Sequence, residues 1–397
     1  MFDTQQKRSL TTQAVHAGEL IVPNTSHPLS QPIYQATVYG FDSLEAVDEA
    51  MSGATQGYAY YRIATPNQVA FEQAMATLER GETAYASSSG MGAIFASLSA
   101  AVQSGDHIIA DRRIYGSTYS LLTNQFPRFG VETTFLEIAD SDAVRAAVRP
   151  TTRLLYFETI GNPLLQVADL EKLAALGHEL GLLTFVDSTF TSPALLRPLE
   201  WGIDVVLHAT TKYIGGHSDA LGGIAVGRTS FITSARQTGM VMGLAQGPFD
   251  SWLNVRSLKT LPLRMATHSR NALAVARWLE GQSALQQVIY PGLPSHPQYE
   301  LATRLMPEGC GGMLSFELEG GLPTVRRFIK ALKTIPFAPS LADVTTTITH
   351  PATTSHRPFS PEERLKLGIT EGLLRLSVGI EDVADIIEEL DIAFKAL

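Results

Sequence analysis

Val205-Val206-Leu207-His208-Ala209-Thr210-Thr211-Lys212-Tyr213-Ile214-Gly215-Gly216-His217 runs from an apolar, β-branched segment straight into hydroxyls, a lysine and a glycine pair. An apolar run of this length has the character of a strand buried on both faces, as strands of parallel sheets are. A lysine just past it stands at the carboxyl end of the strand, the edge where open α/β sheets bind ligands. Partial desolvation there lowers an amine's pKa and makes it a nucleophile toward a carbonyl group. The alternative is a solvated loop lysine. His208 and His217 have no carboxylate at ligand spacing beside them, so they read as structural, and no metal site is expected.

Two further strand ends lie upstream. Ala86-Ser87-Ser88-Ser89-Gly90-Met91-Gly92 is a small-residue turn between a strand and a helix, where free backbone N–H groups and the helix dipole bind phosphate. Steric need for glycine is the competing explanation. Leu183-Thr184-Phe185-Val186-Asp187-Ser188-Thr189 sets an acidic residue after an apolar strand. A poorly solvated carboxylate wants a cationic or N–H partner, and a pyridinium nitrogen is one. Helix capping is the alternative role for Asp187.

Apolar strand-like runs at 83–87, 107–111, 131–137, 154–158, 182–187, 205–209 and 223–226 alternate with helix-length stretches such as 91–103 and 170–179. That alternation predicts an α/β chain with a mostly parallel central sheet and helices on both faces. After residue 256 the pattern changes to a long helix over 263–279, strands at 313–317 and 373–378, and helices at 324–332 and 382–394, which is a smaller α+β unit. The expected division is an N-terminal arm over 1–60 that packs on something else, a large domain over 61–256 and a small domain over 257–397.

The 397 residues can bury a sizeable core, and with 45% apolar and 17% charged residues the composition is that of a soluble globular protein. No apolar run approaches the roughly eighteen residues needed to span a bilayer, and the first nineteen residues offer no signal-peptide pattern, so the expected location is cytoplasmic. A net charge of -9 without a basic block argues against nucleic acid. One cysteine, Cys310, excludes an intrachain disulfide and reads as a small buried hydrophobe.

Phosphate turn, acidic strand end, then lysine strand end is the chain order of an aminotransferase-type (fold type I) pyridoxal-phosphate fold. From about Gly57 almost to the C-terminus the chain resembles the Cys/Met-metabolism (transsulfuration) family, which includes cystathionine γ-lyase, cystathionine γ-synthase, methionine γ-lyase and the O-acylhomoserine sulfhydrylases. The resemblance is carried by Tyr60-Tyr61-Arg62, Ser89-Gly90-Met91, Tyr115-Gly116, Glu158 with Asn162-Pro163, Val186-Asp187, Thr211-Lys212-Tyr213, Ser340-Leu341 and Arg375-Leu376-Ser377-Val378-Gly379.

It implies pyridoxal 5'-phosphate as cofactor, with Lys212 as Schiff-base lysine and proton carrier and Asp187 paired with the ring nitrogen. Tyr115 stacks on the ring and assists proton transfer. Ser89, Gly90, Met91 and Thr211 match phosphate-binding positions. Tyr60 and Arg62 match residues that reach the cofactor phosphate of the adjoining subunit, which implies a homo-oligomer, usually a dimer of dimers. Arg375 matches the arginine that binds the substrate carboxylate, supported by Ser340 and Asn162, and its planar fork suits that task.

The implied activity is a γ-lyase that releases a thiol, a 2-oxo acid and ammonia from methionine, cystathionine or a similar amino acid. Its rival is a γ-replacement enzyme, and a non-catalytic binding protein on the same fold is the alternative from another class. Four departures bear on this. Methionine γ-lyases usually have cysteine where this chain has Ser117, and a Lys-Asp pair in the region of Gly239-Met240-Val241-Met242. Many cystathionine enzymes have glutamate where this chain has Pro339. In the phosphate pocket, Ala209 stands for a common serine and Thr65-Pro66-Asn67 for Asn-Pro-Thr, which removes a hydrogen bond worth on the order of 1 kcal/mol.

Overall fold

A computed structural model describes residues 8–17, 28–52, 57–357 and 359–397. Its main sheet has seven strands: β1 (Thr83–Ser87), β2 (His107–Asp111), β3 (Glu132–Leu136), β4 (Thr152–Glu158), β5 (Leu183–Asp187), β6 (Val205–Ala209) and β7 (Gly223–Gly227). They lie in the order β1-β7-β6-β5-β4-β2-β3, and β7 alone runs against its neighbours. The predicted mostly parallel sheet is present, with each predicted strand end within two residues.

Successive side chains of these strands enter two different cores. Leu155, Phe157, Val186, Val206 and Ile224 pack on one face, and Leu154, Tyr156, Phe185, Val205, Leu207 and Ala225 on the other. Every one of them is essentially inaccessible to solvent. At about 25 cal/mol per Å² of apolar surface removed from water, this double burial fixes the strand register firmly, because a one-residue slip would exchange the two faces.

The register aligns the strand ends that matter. Ser87 and Ala209 both pair with Gly223, Glu158 pairs with Asp187, and Asp187 pairs with Leu207. The small-residue turn, the acidic end and the lysine loop therefore emerge along one edge of the sheet.

A second sheet of four antiparallel strands, in the order β10-β11-β9-β8, comprises β8 (Leu285–Ile289), β9 (Met313–Leu318), β10 (Thr347–Thr349) and β11 (Leu373–Ser377). The long helix Leu261–Glu280 precedes it, and Val383–Lys395 closes the chain. β8 and β10 and the helix Pro66–Glu79 are additions to what the sequence predicts. Among the residues predicted as an arm, Leu10–His16 forms a helix that packs on Pro66–Glu79 and Leu261–Glu280 of its own chain. Among the described residues no helix is long and apolar enough to cross a membrane.

Buried polar pairs anchor the loop that carries Lys212. His208 shares a 2.6 Å hydrogen bond with Glu79, both buried, and Cys310 is buried too. His217 bonds the Gly215 carbonyl. Arg264, buried in Leu261–Glu280, donates to the carbonyls of Tyr213 (2.6 Å), Ile214 (3.3 Å) and Ser257 (2.9 Å). Gly216 has φ +71°, and a Cβ there would stand 2.1 Å from Nη1 of Arg264.

This geometry separates two costs of adding a methyl group. Gly181 also has positive φ, at +66°, but a Cβ there meets nothing within 4 Å. Gly181→Ala should lose about 1 kcal/mol of unfolding free energy from backbone strain alone. Gly216→Ala should lose a further 1–3 kcal/mol or so as Arg264 is displaced. Urea unfolding of both variants measures the difference, and equal losses would contradict the role given to Arg264.

Candidate active site

Ser89 caps the helix Gly90–Ala101 through its Oγ, which accepts from Gly92 N at 3.0 Å. The N–H groups of Gly90 and Met91, in the first helical turn, have no partner within the helix and are available to an anion. The turn abuts the sheet edge so closely that a Cβ on Gly90 would lie 2.6 Å from Cβ of Ala209. Thr211 stands across the opening, its hydroxyl tied to Gly222 O (3.3 Å) and Gly222 N (3.2 Å). Thr65 caps the helix Pro66–Glu79 by accepting from Gln68 N, and Asn67 donates to Pro32 O and accepts from Tyr34 N. The departure Thr65-Pro66-Asn67 is thus occupied in local structure.

Asp187 is buried at the end of β5 and accepts from Thr189 N at 3.0 Å. Desolvation raises its pKa, while the Thr189 contacts and then His208 pull it down. On the adjacent strand end Glu158 accepts from Tyr115 N at 2.6 Å. Desolvation, and then repulsion from Asp187, hold Glu158 well above the ordinary carboxylate range. Two carboxyl groups so placed do not both ionise unless a cation joins them. A protonated ring nitrogen against Asp187 is a cation of that kind.

Lys212 follows β6, and its Nζ reaches Ser340 Oγ at 3.5 Å. Burial, and then repulsion from Arg375, lower its pKa to about 8. Arg375, 3% exposed on β11, donates from Nη1 to Asn162 Oδ1 at 2.8 Å and from Nη2 to Ser340 O at 3.1 Å. Its buried Nε has no partner. An unsatisfied donor on a buried guanidinium is costly, and a carboxylate is the group that satisfies it best.

These residues share one cavity of about 830 Å³, lined among others by Ser89, Gly90, Met91, Tyr115, Asn162, Asp187, Thr211, Lys212 and Arg375. Ser340 adjoins it between the lining residues Pro339 and Leu341. Tyr60 and Arg62 stand apart from it: the Arg62 guanidinium lies 5.5 Å above the Tyr60 ring, and its Nη1 donates to Met240 O at 3.2 Å. Sequence reasoning gave no role to Glu158, although it is a strand-end acid of the same kind as Asp187. It also overlooked the loop 353–357, four of whose residues line the cavity; Ser355 O would lie 2.9 Å from a Cβ on Gly116.

Open helical N–H groups, a desolvated amine and a buried acid in want of a cation fit a phosphorylated pyridine aldehyde. The fold and this edge define a pyridoxal-phosphate enzyme of fold type I. The chain belongs to the Cys/Met metabolism PLP-dependent enzyme family, whose profile matches residues 11–395.

It is 41% identical to an L-methionine gamma-lyase of Porphyromonas gingivalis, over 97% of this chain and 96% of that protein. It is 40% identical to an O-succinylhomoserine sulfhydrylase of Pseudomonas aeruginosa, over 94% and 92%. A cystathionine gamma-lyase of Bacillus subtilis is also 40% identical, over 96% and 97%. A crystal structure from Campylobacter jejuni, described as an O-acetylhomoserine (thiol)-lyase and containing pyridoxyl-lysine monophosphate, superposes with a TM-score of 0.92 at 29% identity, covering 98% of this chain and all of that one.

The lowered pKa of Lys212 has a measurable sign. An ordinary lysine is only ~0.3% neutral at pH 8, whereas a group with pKa near 8 is about half neutral there. Capture of added pyridoxal phosphate by the cofactor-free protein, followed by absorbance, should therefore accelerate as pH rises through about 8 and then level off. Arg375→Gln removes a cationic neighbour and should move that midpoint upward; an unchanged midpoint would contradict the electrostatic coupling.

Proposed function

We propose that the chain is a pyridoxal-phosphate-dependent γ-lyase acting on a sulfur amino acid of the methionine or cystathionine type, giving a thiol, a 2-oxo acid and ammonia. The observation that carries this reading is the pairing of Arg375, with an open Nε, and Lys212, with an amine of pKa about 8, in one cavity. A substrate carboxylate on Arg375 brings Cα toward Lys212 Nζ. When bound, pyridoxal phosphate supplies the electron sink that acidifies the Cα–H bond.

Lys212 then removes the Cα proton as general base, and Asn162 and Ser340 hold the guanidinium that orients the substrate. A second deprotonation at Cβ lets the γ-thiolate leave, and a proton passes to it within the cavity, where Tyr115 stands with its backbone fixed on Glu158. Water closes the balance: substrate and one water give thiol, 2-oxo acid and ammonia. In this reading Asp187 pairs with the cofactor ring and the Ser89-Gly90-Met91 turn with Thr211 receives its phosphate. Tyr60 and Arg62 serve the cofactor of an adjoining copy, so the working form is at least a dimer and, in the family's usual form, a tetramer. The proposed location is the cytoplasm, with residues 61–256 and 257–397 as the large and small domains.

γ-Replacement is the second reading, favoured by the sulfhydrylase relative and by Ser117 and Pro339 among the cavity residues. Methionine, cystathionine and O-acetylhomoserine, the last with and without sulfide, should be assayed for 2-oxobutanoate and homocysteine. The lyase reading expects 2-oxobutanoate without sulfide; homocysteine alone, formed only with sulfide, would replace it. Lys212→Ala should lower turnover by about 10²–10⁴-fold, the usual worth of a positioned general base. A protein that binds these amino acids but turns over none would be the non-catalytic alternative.

A further inference from the structure

Arg357 lies on the wall of the same cavity, exposed at its mouth, and no carboxylate among the described residues forms an ion pair with it. The other two cations of the wall are deep and serve the amino-acid head in the reading above: Lys212 beside Ser340, and Arg375 held on Asn162 and the Ser340 carbonyl with its Nε open. The two acids of the wall, Glu158 and Asp187, are committed to Tyr115 N and Thr189 N at the strand ends. Pro339, exposed, occupies the wall just before Ser340 and carries no charge.

The mouth therefore offers a cation and hydroxyls, from Ser117, Thr353, Thr354 and Ser355, and among the described residues no carboxylate lines it to receive an ammonium group. The loop that carries Arg357 is held by its own bonds. Thr354 Oγ1 donates to His350 O at 2.8 Å, His356 N to Pro351 O at 2.9 Å and Arg357 N to Thr354 O at 3.2 Å. His356 is buried against the Phe359 ring. An arginine on such an anchored support presents its fork with less ordering cost than one on a free strand of chain.

We propose that Arg357 is a specificity-determining residue that binds a carboxylate at the far end of the substrate's γ-substituent. The favoured substrate class is then a homoserine or homocysteine derivative whose side chain ends in an anion, with no requirement for a second amine. The inference rests on the placement of the α-carboxylate at Arg375 in the reading above.

The test compares O-succinylhomoserine with O-acetylhomoserine, which share the amino-acid head and the ester and differ in the terminal carboxylate. Affinity of the holoenzyme is read from the change each ester causes in the cofactor's absorption spectrum, without relying on turnover. The wild-type protein should favour the succinyl ester by about tenfold, the worth of one charge-assisted hydrogen-bonded contact. In Arg357→Gln the ratio should fall to about one, the loss borne by the succinyl ester, and Arg357→Lys should retain part of it. Added salt should erode the wild-type preference.

Equal affinity for the two esters in the wild-type protein, an unchanged ratio in Arg357→Gln, or no spectral response to either ester would overturn the proposal. Release of 2-oxobutanoate from methionine by the same preparation would in each of those cases leave the lyase reading standing. Absence of 2-oxobutanoate from methionine and from cystathionine alike, with the ester preference intact, would overturn the lyase reading alone.

Discussion

Like charges are held beside like in this site. Lys212 and Arg375 share one desolvated cavity, and Asp187 and Glu158 share one sheet edge. Each arrangement raises the energy of the protein without its ligands, and each is relieved by a group of opposite charge: an anion for the arginine, a cation for the acids. The rest of the structure makes this tolerable. The doubly buried strands fix where the acids emerge, and Arg264 fixes the loop after Lys212 by satisfying the Tyr213 and Ile214 carbonyls, which would otherwise be stranded.

The two sheets meet through polar contacts at the site. Ser315 and Arg375 are register partners on β9 and β11, and both reach the same loop of the main sheet, Ser315 through Pro163 O at 2.7 Å and Arg375 through Asn162. From the other side, the Tyr213 hydroxyl accepts from Gly312 N, and Val344 N donates to Gly216 O. Lys212 therefore sits between two anchors to the second sheet, one before it in space at Ser340 and one after it in sequence at Tyr213. Binding and positioning are carried by the seam between the sheets, where backbone groups free of regular structure are abundant.

The main sheet was legible because its strands are short apolar runs ended by polar residues, and Asp187 and Lys212 stood out because they follow such runs directly. The helix Pro66–Glu79 was hidden by its own burial: Gln68, Glu72 and Glu79 face protein on the inside, pairing with Arg236 and His208 among others, so no polar stripe marks a surface. β8 was masked by Gln286 and Gln287, and β10 is three residues long. The Arg375–Asn162 contact joins residues 213 positions apart, and no local pattern encodes it. Arg357 sits in a loop between a short strand and a short helix, where only the folded cavity gives it a meaning.

Arg375 belongs to the second sheet, Asn162 to a loop of the first, and the guanidinium is oriented by both. The ruler against which a substrate is measured thus has its two ends on different sheets. A rotation of one sheet relative to the other moves the carboxylate anchor with respect to the lysine, and it changes the length of side chain that fits without altering any residue in the cavity wall. Substrate range can drift in such a protein through substitutions at the seam that no substrate touches.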